Sequence, residues 1–171
     1  MTRSAAIVVG GALVAAVSGD ASAEALEHAE HRFELGVPDG WARDGDALVW
    51  NNADTGERMT VTRIGAPNGD AWRGSKAFFA AIESGVVAGA TGYKSIKRKR
   101  SKAGRVPTLD LWFENQTSRG DDVVTVMRFL LFRRYSVVLA VDTPATTWKQ
   151  RRRAMRRIAR GFKPWFPPPA E

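Results

Sequence analysis

The sequence predicts an α+β fold in which an antiparallel β-sheet is flanked by helices. Several segments alternate apolar and polar residues and are joined by short turn sequences, as in antiparallel hairpins. Two further segments carry apolar side chains at helical spacing. The 171 residues include no cysteine, so packing rather than disulfides has to hold the core. The part of the chain after residue 23 has the length of a single domain.

The first 23 residues have the features of a secretory signal peptide. Arg3 lies in a short basic region, the stretch Ala5–Val17 is apolar and uncharged, and Ala21–Ala23 form a small-x-small cleavage site. The apolar run is short for a transmembrane helix and contains two adjacent glycines. We therefore expect cleavage after Ala23 and export to a periplasm or out of the cell, with no transmembrane anchor left.

The first elements after this segment predict a β-meander. Residues 24–31 are polar, and we expect them to form a frayed lead-in or a single helical turn. Residues Phe33–Val37 alternate between apolar and polar, which predicts a half-buried strand, and Pro38–Trp41 turn the chain. Two further strands are predicted over 46–51 and 58–64, joined by a hairpin turn.

A helix is predicted next, after a loop over Ala66–Gly74. Ser75 is placed to cap the N-terminus of this helix, and Gly89 or Gly92 to end it. The apolar positions recur at helical spacing on one stripe, which predicts a face packed on the sheet. These positions are Phe78, Phe79, Ile82 and Val86.

The second half of the chain predicts the centre of the sheet. Residues Tyr93–Arg100 are rich in lysine and arginine, which is typical of an edge strand that resists pairing with other molecules. Three strands rich in valine, leucine and aromatic residues follow over 109–113, 122–133 and 135–143. These three strands are expected at the middle of the sheet.

A second helix is predicted over 146–160, followed by a short tail. Its apolar stripe, Trp148, Met155, Ile158 and Phe162, is expected to face the core. The proline-rich residues 164–171 are expected to be extended and mobile. The sequence therefore predicts one domain over 32–163.

Positive charge is concentrated in two runs without acidic residues. The first basic run covers Lys94–Arg105 and the second basic run covers Lys149–Lys163. The chain has a net charge of +8 at pH 7. Such runs attract anions over about 8–10 Å at moderate salt. Solubility, protection of the edge strand and the helix dipole are alternative reasons for the charge. The candidate anion-binding residues are Lys97, Arg98, Lys99, Arg100, Lys102, Arg151, Arg152, Arg156 and Arg157.

The sequence contains no assembled catalytic motif, and it predicts neither a cofactor nor a metal site. The segment Gly69–Lys76 resembles a phosphate-binding loop, but its serine precedes its lysine, which is the reverse of the functional order. His28 and His31 could hold a metal loosely, yet no third ligand is apparent. Asp110 and Glu114 lie about 13 Å apart on one strand, too far for a carboxylate pair, and are expected to face solvent.

The order of elements resembles that of the PsbP-like superfamily. The opening residues Phe33–Trp41, the meander, the amphipathic helix, the long central hairpin and the C-terminal helix carry this resemblance over Arg32–Lys163. The superfamily includes an extrinsic photosystem II subunit, a Ran-binding nuclear import factor and many exported bacterial proteins. The resemblance implies an α/β/α sandwich that binds or assists assembly without a shared active site.

Two functions remain open on the sequence. The first is an exported, non-enzymatic binding or assembly domain whose basic face meets an anionic partner: lipid head groups, an acidic envelope polymer or an acidic protein. The alternative is a small-ligand or accessory module that uses the sheet surface or the 66–74 loop. In that case Trp72 and Trp112 supply apolar contacts and the basic residues serve only solubility. The sequence disfavours nucleic acid, because it has no stacking motif or groove-reading helix.

Overall fold

A computed structural model of the chain describes residues 24–65 and 75–166. The helices of this part are α1 (Ser75–Gly89) and α2 (Trp148–Gly161), and a 3-10 turn over Ala145–Thr147 leads into α2. The strands are β1 (Glu24–His28), β2 (Phe33–Val37), β3 (Ala42–Arg43), β4 (Val49–Asn52), β5 (Glu57–Gly65), β6 (Lys94–Ala103), β7 (Val106–Gln116), β8 (Asp122–Leu131), β9 (Tyr135–Pro144) and β10 (Lys163–Pro164).

Seven of the described strands form one antiparallel sheet in the order β3-β4-β5-β9-β8-β7-β6. The hairpins between β6, β7, β8 and β9 follow chain order, and β5 closes against β9. Gly104 and Gly120 have positive φ angles of 59° and 87° in two of the connecting turns, a conformation that glycine adopts without steric cost. The predicted central strands are thus confirmed, and β6 is confirmed as an edge strand.

The two faces of this sheet bury separate apolar clusters, because side chains alternate along each strand. On one face, Trp112 and Leu139 pack against Met155 and Ile158 of α2. On the other face, residues of β7 and β8 pack against the predicted stripe of α1, whose most buried member is Phe79. The result is the α+β, α/β/α sandwich that the sequence predicts.

A three-stranded sheet in the order β1-β2-β10 corrects two expectations about the ends of the domain. Residues 24–28 are a strand rather than a lead-in or helical turn, because Leu26 pairs with Leu35 and packs on the core. The strand β2 belongs to this small sheet and not to the meander.

The start of the predicted tail is also ordered by this sheet. Lys163 and Pro164 pair with β2, and the backbone N–H of Trp165 donates a hydrogen bond to the carbonyl of Arg32 at 2.9 Å. The expectation of a mobile tail from residue 164 is therefore wrong for its first residues, and residues 167–171 lie outside the described part. Among the described helices, none is long and apolar enough to cross a membrane. The predicted signal peptide lies outside the described residues.

Candidate functional site

The second basic run is divided by the geometry of α2. Met155, Ile158 and Ala159 face the core, and successive residues are about 100° apart around a helix. Four cations at spacing i, i+3, i+4 and i+7 therefore share one exposed flank, and we refer to them as the basic stripe: Lys149, Arg152, Arg153 and Arg156. They line a concavity of about 310 Å³. In the described part of the chain, none of the four forms an ion pair with an acidic residue.

Arg151 differs from its neighbours, because it is bound to a buried carboxylate. Its Nε and Nη2 atoms donate hydrogen bonds to the two oxygens of Glu57 at 2.8 and 2.7 Å. Thr143 and Thr55 donate to the same two oxygens at 2.9 Å each. Glu57 is only 1% exposed. The prediction that Arg151 is free to face an external anion is therefore corrected: its Nε and Nη2 atoms hold an internal carboxylate, and only its remaining N–H groups are left for another acceptor.

The pKa of Glu57 reflects this arrangement. Burial by itself would raise the pKa, but the hydrogen bonds from Arg151, Thr55 and Thr143 and the charge of Arg151 outweigh it. The pKa therefore lies below its ordinary value. The same hydrogen bonds raise the pKa of Arg151, so both partners stay ionised.

Two of the cations in the first basic run are bound to α1. Arg98 and Arg100 point to the side of the sheet covered by α1, where both meet Glu83. The Nη2–Oε2 distances are 2.6 and 3.4 Å respectively. The prediction that these two arginines form an anion-facing surface is thus corrected, because an acid of the neighbouring helix shares their charge. Lys99 and Lys102 are exposed.

Lys97 points to the opposite side of the sheet, towards α2. Its Nζ atom lies 4.1 Å above the ring centroid of Trp112, and the Cζ atom of Arg156 lies 6.0 Å from the same centroid. Burial lowers the pKa of Lys97, and the nearby charge of Arg156 lowers it further. Lys97 therefore connects β6 to the basic stripe.

Trp112 lies inside the core rather than on the surface. It is 2% exposed, and its ring meets that of Trp148 edge-on at 5.8 Å. The predicted contact of Trp112 with a ligand is corrected to a packing role, since the indole has almost no free surface. Trp72, the other predicted contact, and the 66–74 loop lie outside the described residues.

Asp110 is buried beneath Lys97, although the sequence predicts that it faces solvent. It lies opposite Arg128 in the register of β7 and β8, with 3.6 Å between Oδ1 and Nη1. Burial raises the pKa of Asp110 despite the nearby charges of Arg128, Lys97 and Lys99. Glu114 on the same strand is exposed, as predicted.

The two histidines stack on each other at the end of β1, whose last residue is His28. Their ring centroids are 4.5 Å apart, and the backbone N–H of His31 donates to Nδ1 of His28 at 3.3 Å. Burial and the neighbouring His31 lower the pKa of His28. In the described residues, no group of three or more histidine, cysteine or acidic side chains could hold a metal ion.

The remaining predicted residue, Arg157, follows Arg153 by about one helical turn but does not line the concavity of the basic stripe. It lines a second concavity together with Trp41 and Gly36. By contrast, Lys149 and Arg153 join the stripe although they were not among the predicted candidates. Their spacing from Arg152 and Arg156 was the signal in the sequence that could have identified them.

Comparisons with known proteins show a PsbP-like fold. No family model and no curated protein matches the chain. The solution structure of cyanobacterial PsbP from Synechocystis is similar with a TM-score of 0.62 and 12% identity, covering 86% of this chain and 95% of that one.

Two other solved structures have the same fold. A Pseudomonas aeruginosa protein of unknown function has a TM-score of 0.55 and 16% identity, covering 94% of this chain and 100% of that one. LpqN, involved in cell envelope biogenesis of Mycobacterium tuberculosis, has a TM-score of 0.55 and 12% identity, covering 91% of this chain and 93% of that one.

Proposed function

We propose that this chain is an exported accessory domain that acts by binding, without catalysis, and that its basic stripe docks on an anionic membrane surface. The observation that carries the proposal is the stripe of four exposed cations without an acidic partner in the described residues. By contrast, Arg98, Arg100 and Arg151 each meet a carboxylate. Within the stripe, Arg156 also lies 6.0 Å from the ring centroid of Trp112, but its charge is not offset by an acid and is available to an external anion.

The shape of the stripe favours a broad surface over a small ligand. Its side chains project from the exposed flank of a 14-residue helix, and Lys99 of β6 is exposed nearby on the side of the sheet that carries α2. A membrane rich in anionic lipid attracts adjacent basic residues by about 1 kcal/mol each. Four such residues give useful affinity without a deep pocket.

The relatives in fold support an accessory role in the envelope. LpqN is involved in cell envelope biogenesis, and the signal-like segment of this chain predicts export to the same kind of location. An exported domain with a cationic flank meets anionic lipid at the membrane it has crossed.

The test is sedimentation of the mature protein, residues 24–171, with anionic and with neutral vesicles over a salt series. Binding should be restricted to anionic vesicles and should weaken steeply as salt rises. A variant with glutamine at Lys149, Arg152, Arg153 and Arg156 should bind about 100-fold more weakly or worse.

A matched control removes the same number of positive charges elsewhere. It carries glutamine at the exposed residues Lys76, Arg105, Arg119 and Arg134, and it should retain most of the binding. Equal losses of vesicle binding in the two variants would show that binding depends only on net charge, and would contradict a specific role for the basic stripe. Binding to an acidic polymer such as polyglutamate, with none to vesicles, would replace the membrane with a polymer as the partner.

A further inference from the structure

A second concavity lies beside α2 and shares no lining residue with the concavity of the basic stripe. It has a volume of about 370 Å³ and runs between α2 and the turn that follows β2. We refer to it as the turn groove. Ligand pockets in proteins start at about 300 Å³, so the turn groove has room for a small molecule.

The lining of the turn groove combines an apolar part with positive charge. Trp41 and Pro38 come from the turn, while Ala154 and Ile158 come from α2. The backbones of β2 and α2 approach closely at its floor, where a Cβ atom added to Gly161 would lie 3.8 Å from the backbone nitrogen of Gly36. An apolar ring or short chain therefore has side chains to contact here.

Two arginines line the same groove, and one of them is held in place from below. The buried Glu57 binds Arg151 through two N–H groups, and a guanidinium has five. Three N–H groups of Arg151 are therefore left for other acceptors, in an orientation that Glu57 has already selected. A fixed donor lowers the entropic cost of binding a ligand.

The second arginine, Arg157, is exposed and forms no ion pair in the described part of the chain. Glu57 offsets the charge of Arg151, so Arg157 supplies the positive charge of the groove. Asp39 also lines the groove and its charge opposes an anion, so recognition of a carboxylate rests on the guanidinium donors rather than on a net positive charge. Planar guanidinium groups match carboxylates especially well.

We infer that the turn groove binds a small organic monocarboxylate, with its carboxylate at Arg157 and Arg151 and its apolar body against Trp41. This site goes beyond the proposed membrane surface and uses none of the four residues of the basic stripe. The two proposals can therefore fail separately.

The experiment is titration of the mature protein with phenylacetate, followed by the amide signals of Gly36 and Gly161 in proton–nitrogen NMR spectra. Both signals should shift in a saturable way with a dissociation constant of about 1 mM or lower. The amides of Gly85 and Gly104, which lie outside the groove, should stay in place. Phenylacetamide, which has the same ring and no charge, should bind at least tenfold more weakly.

Matched variants of α2 test the role of the guanidinium. Arg157→Gln should weaken phenylacetate binding about tenfold or more, whereas Arg152→Gln removes the same charge from the basic stripe, away from the groove, and should leave it unchanged. Both residues are exposed, so both variants should fold. Absence of saturable shifts at Gly36 and Gly161 would overturn the inference. Equal binding of the amide, or equal losses in the two variants, would overturn it as well.

Discussion

The strand β6 and the helix α2 are both rich in lysine and arginine, yet they use this charge differently. In β6, Arg98 and Arg100 are bound to Glu83, and Lys97 covers the ring of Trp112. In α2, the basic stripe has no acidic partner in the described residues, and Arg151 alone within the run is bound to a buried acid. Much of the charge of β6 is therefore used within the fold, whereas the stripe on α2 is available outside it.

The difference follows from the geometry of the two elements. Alternate residues of a strand point to opposite faces of the sheet, so the basic side chains of β6 are divided between the face that α1 covers and the face that α2 covers. A helix packed on a sheet buries one flank and exposes the rest. A basic run on a helix can thus keep a continuous exposed stripe, while one on an edge strand is divided between two interfaces.

The largest expected effect separates two adjacent arginines of α2. Arg151→Gln should lower the free energy of unfolding by about 3 kcal/mol, because it leaves the buried carboxylate of Glu57 without its charged partner. Arg152→Gln should change it by no more than about 0.5 kcal/mol, as is usual for an exposed residue. Urea denaturation of the two variants measures both values. Similar changes in the free energy of unfolding for the two variants would contradict the distinction between bound and available charge within α2.

The pH dependence of stability tests whether the ion pair between Glu57 and Arg151 stabilises the fold. The pKa of Glu57 is lower in the folded than in the unfolded state, so its ionised form stabilises the fold above the unfolded pKa. This contribution is lost as the pH falls through the folded pKa. Glu57→Gln should therefore destabilise the protein by about 2 kcal/mol at pH 7, and the gap from the natural protein should narrow towards about pH 3.

The difference in free energy of unfolding between the natural protein and Glu57→Gln is also free of contributions from other titrating groups. Burial raises the pKa values of Asp110 and Asp142, which gives their ionisation the opposite effect on stability. Both groups are the same in the two proteins, so their contribution drops out of the difference. A gap that stays constant from pH 7 to about pH 3 would show that the ionised form of Glu57 is not what stabilises the fold.

The smallest expected effect concerns the edge strand. Glu83→Gln should cost about 0.5 kcal/mol of stability, because Glu83 is only partly buried and Arg98 is exposed, so the ion pairs are partly screened by solvent. It should leave binding to anionic vesicles unchanged, since these arginines lie on the side of the sheet away from α2. Denaturation and vesicle sedimentation measure the two quantities. A strong gain in vesicle binding would instead make β6 part of the functional surface.

Regular repetition made most of the fold predictable from sequence. The stripes of α1 and α2 and the long strands β7, β8 and β9 repeat their patterns over ten or more residues, so each signal is strong. The strand β1 has five residues and no such repetition. It forms because β2 offers it a pairing edge, which is a tertiary condition. The pairing of Pro164 with β2 was missed for the same reason.

The candidate site was predictable only in part. The sequence located both basic runs, and helical spacing alone could have grouped Lys149, Arg152, Arg153 and Arg156. The binding of Arg151 by Glu57 joins residues 94 positions apart, which no local pattern encodes. The position of Asp110 against Arg128 likewise depends on the register of two strands.

By itself, the sequence determined the fold class, the main elements and the amount of positive charge, because these depend on local periodicity and composition. The tertiary structure decided which charges are paired. Ion pairs and hydrogen bonds form only between groups a few ångströms apart, and chain folding alone brings Glu57 to Arg151 and Glu83 to Arg98. The turn groove likewise exists only because folding brings α2 beside the turn that follows β2.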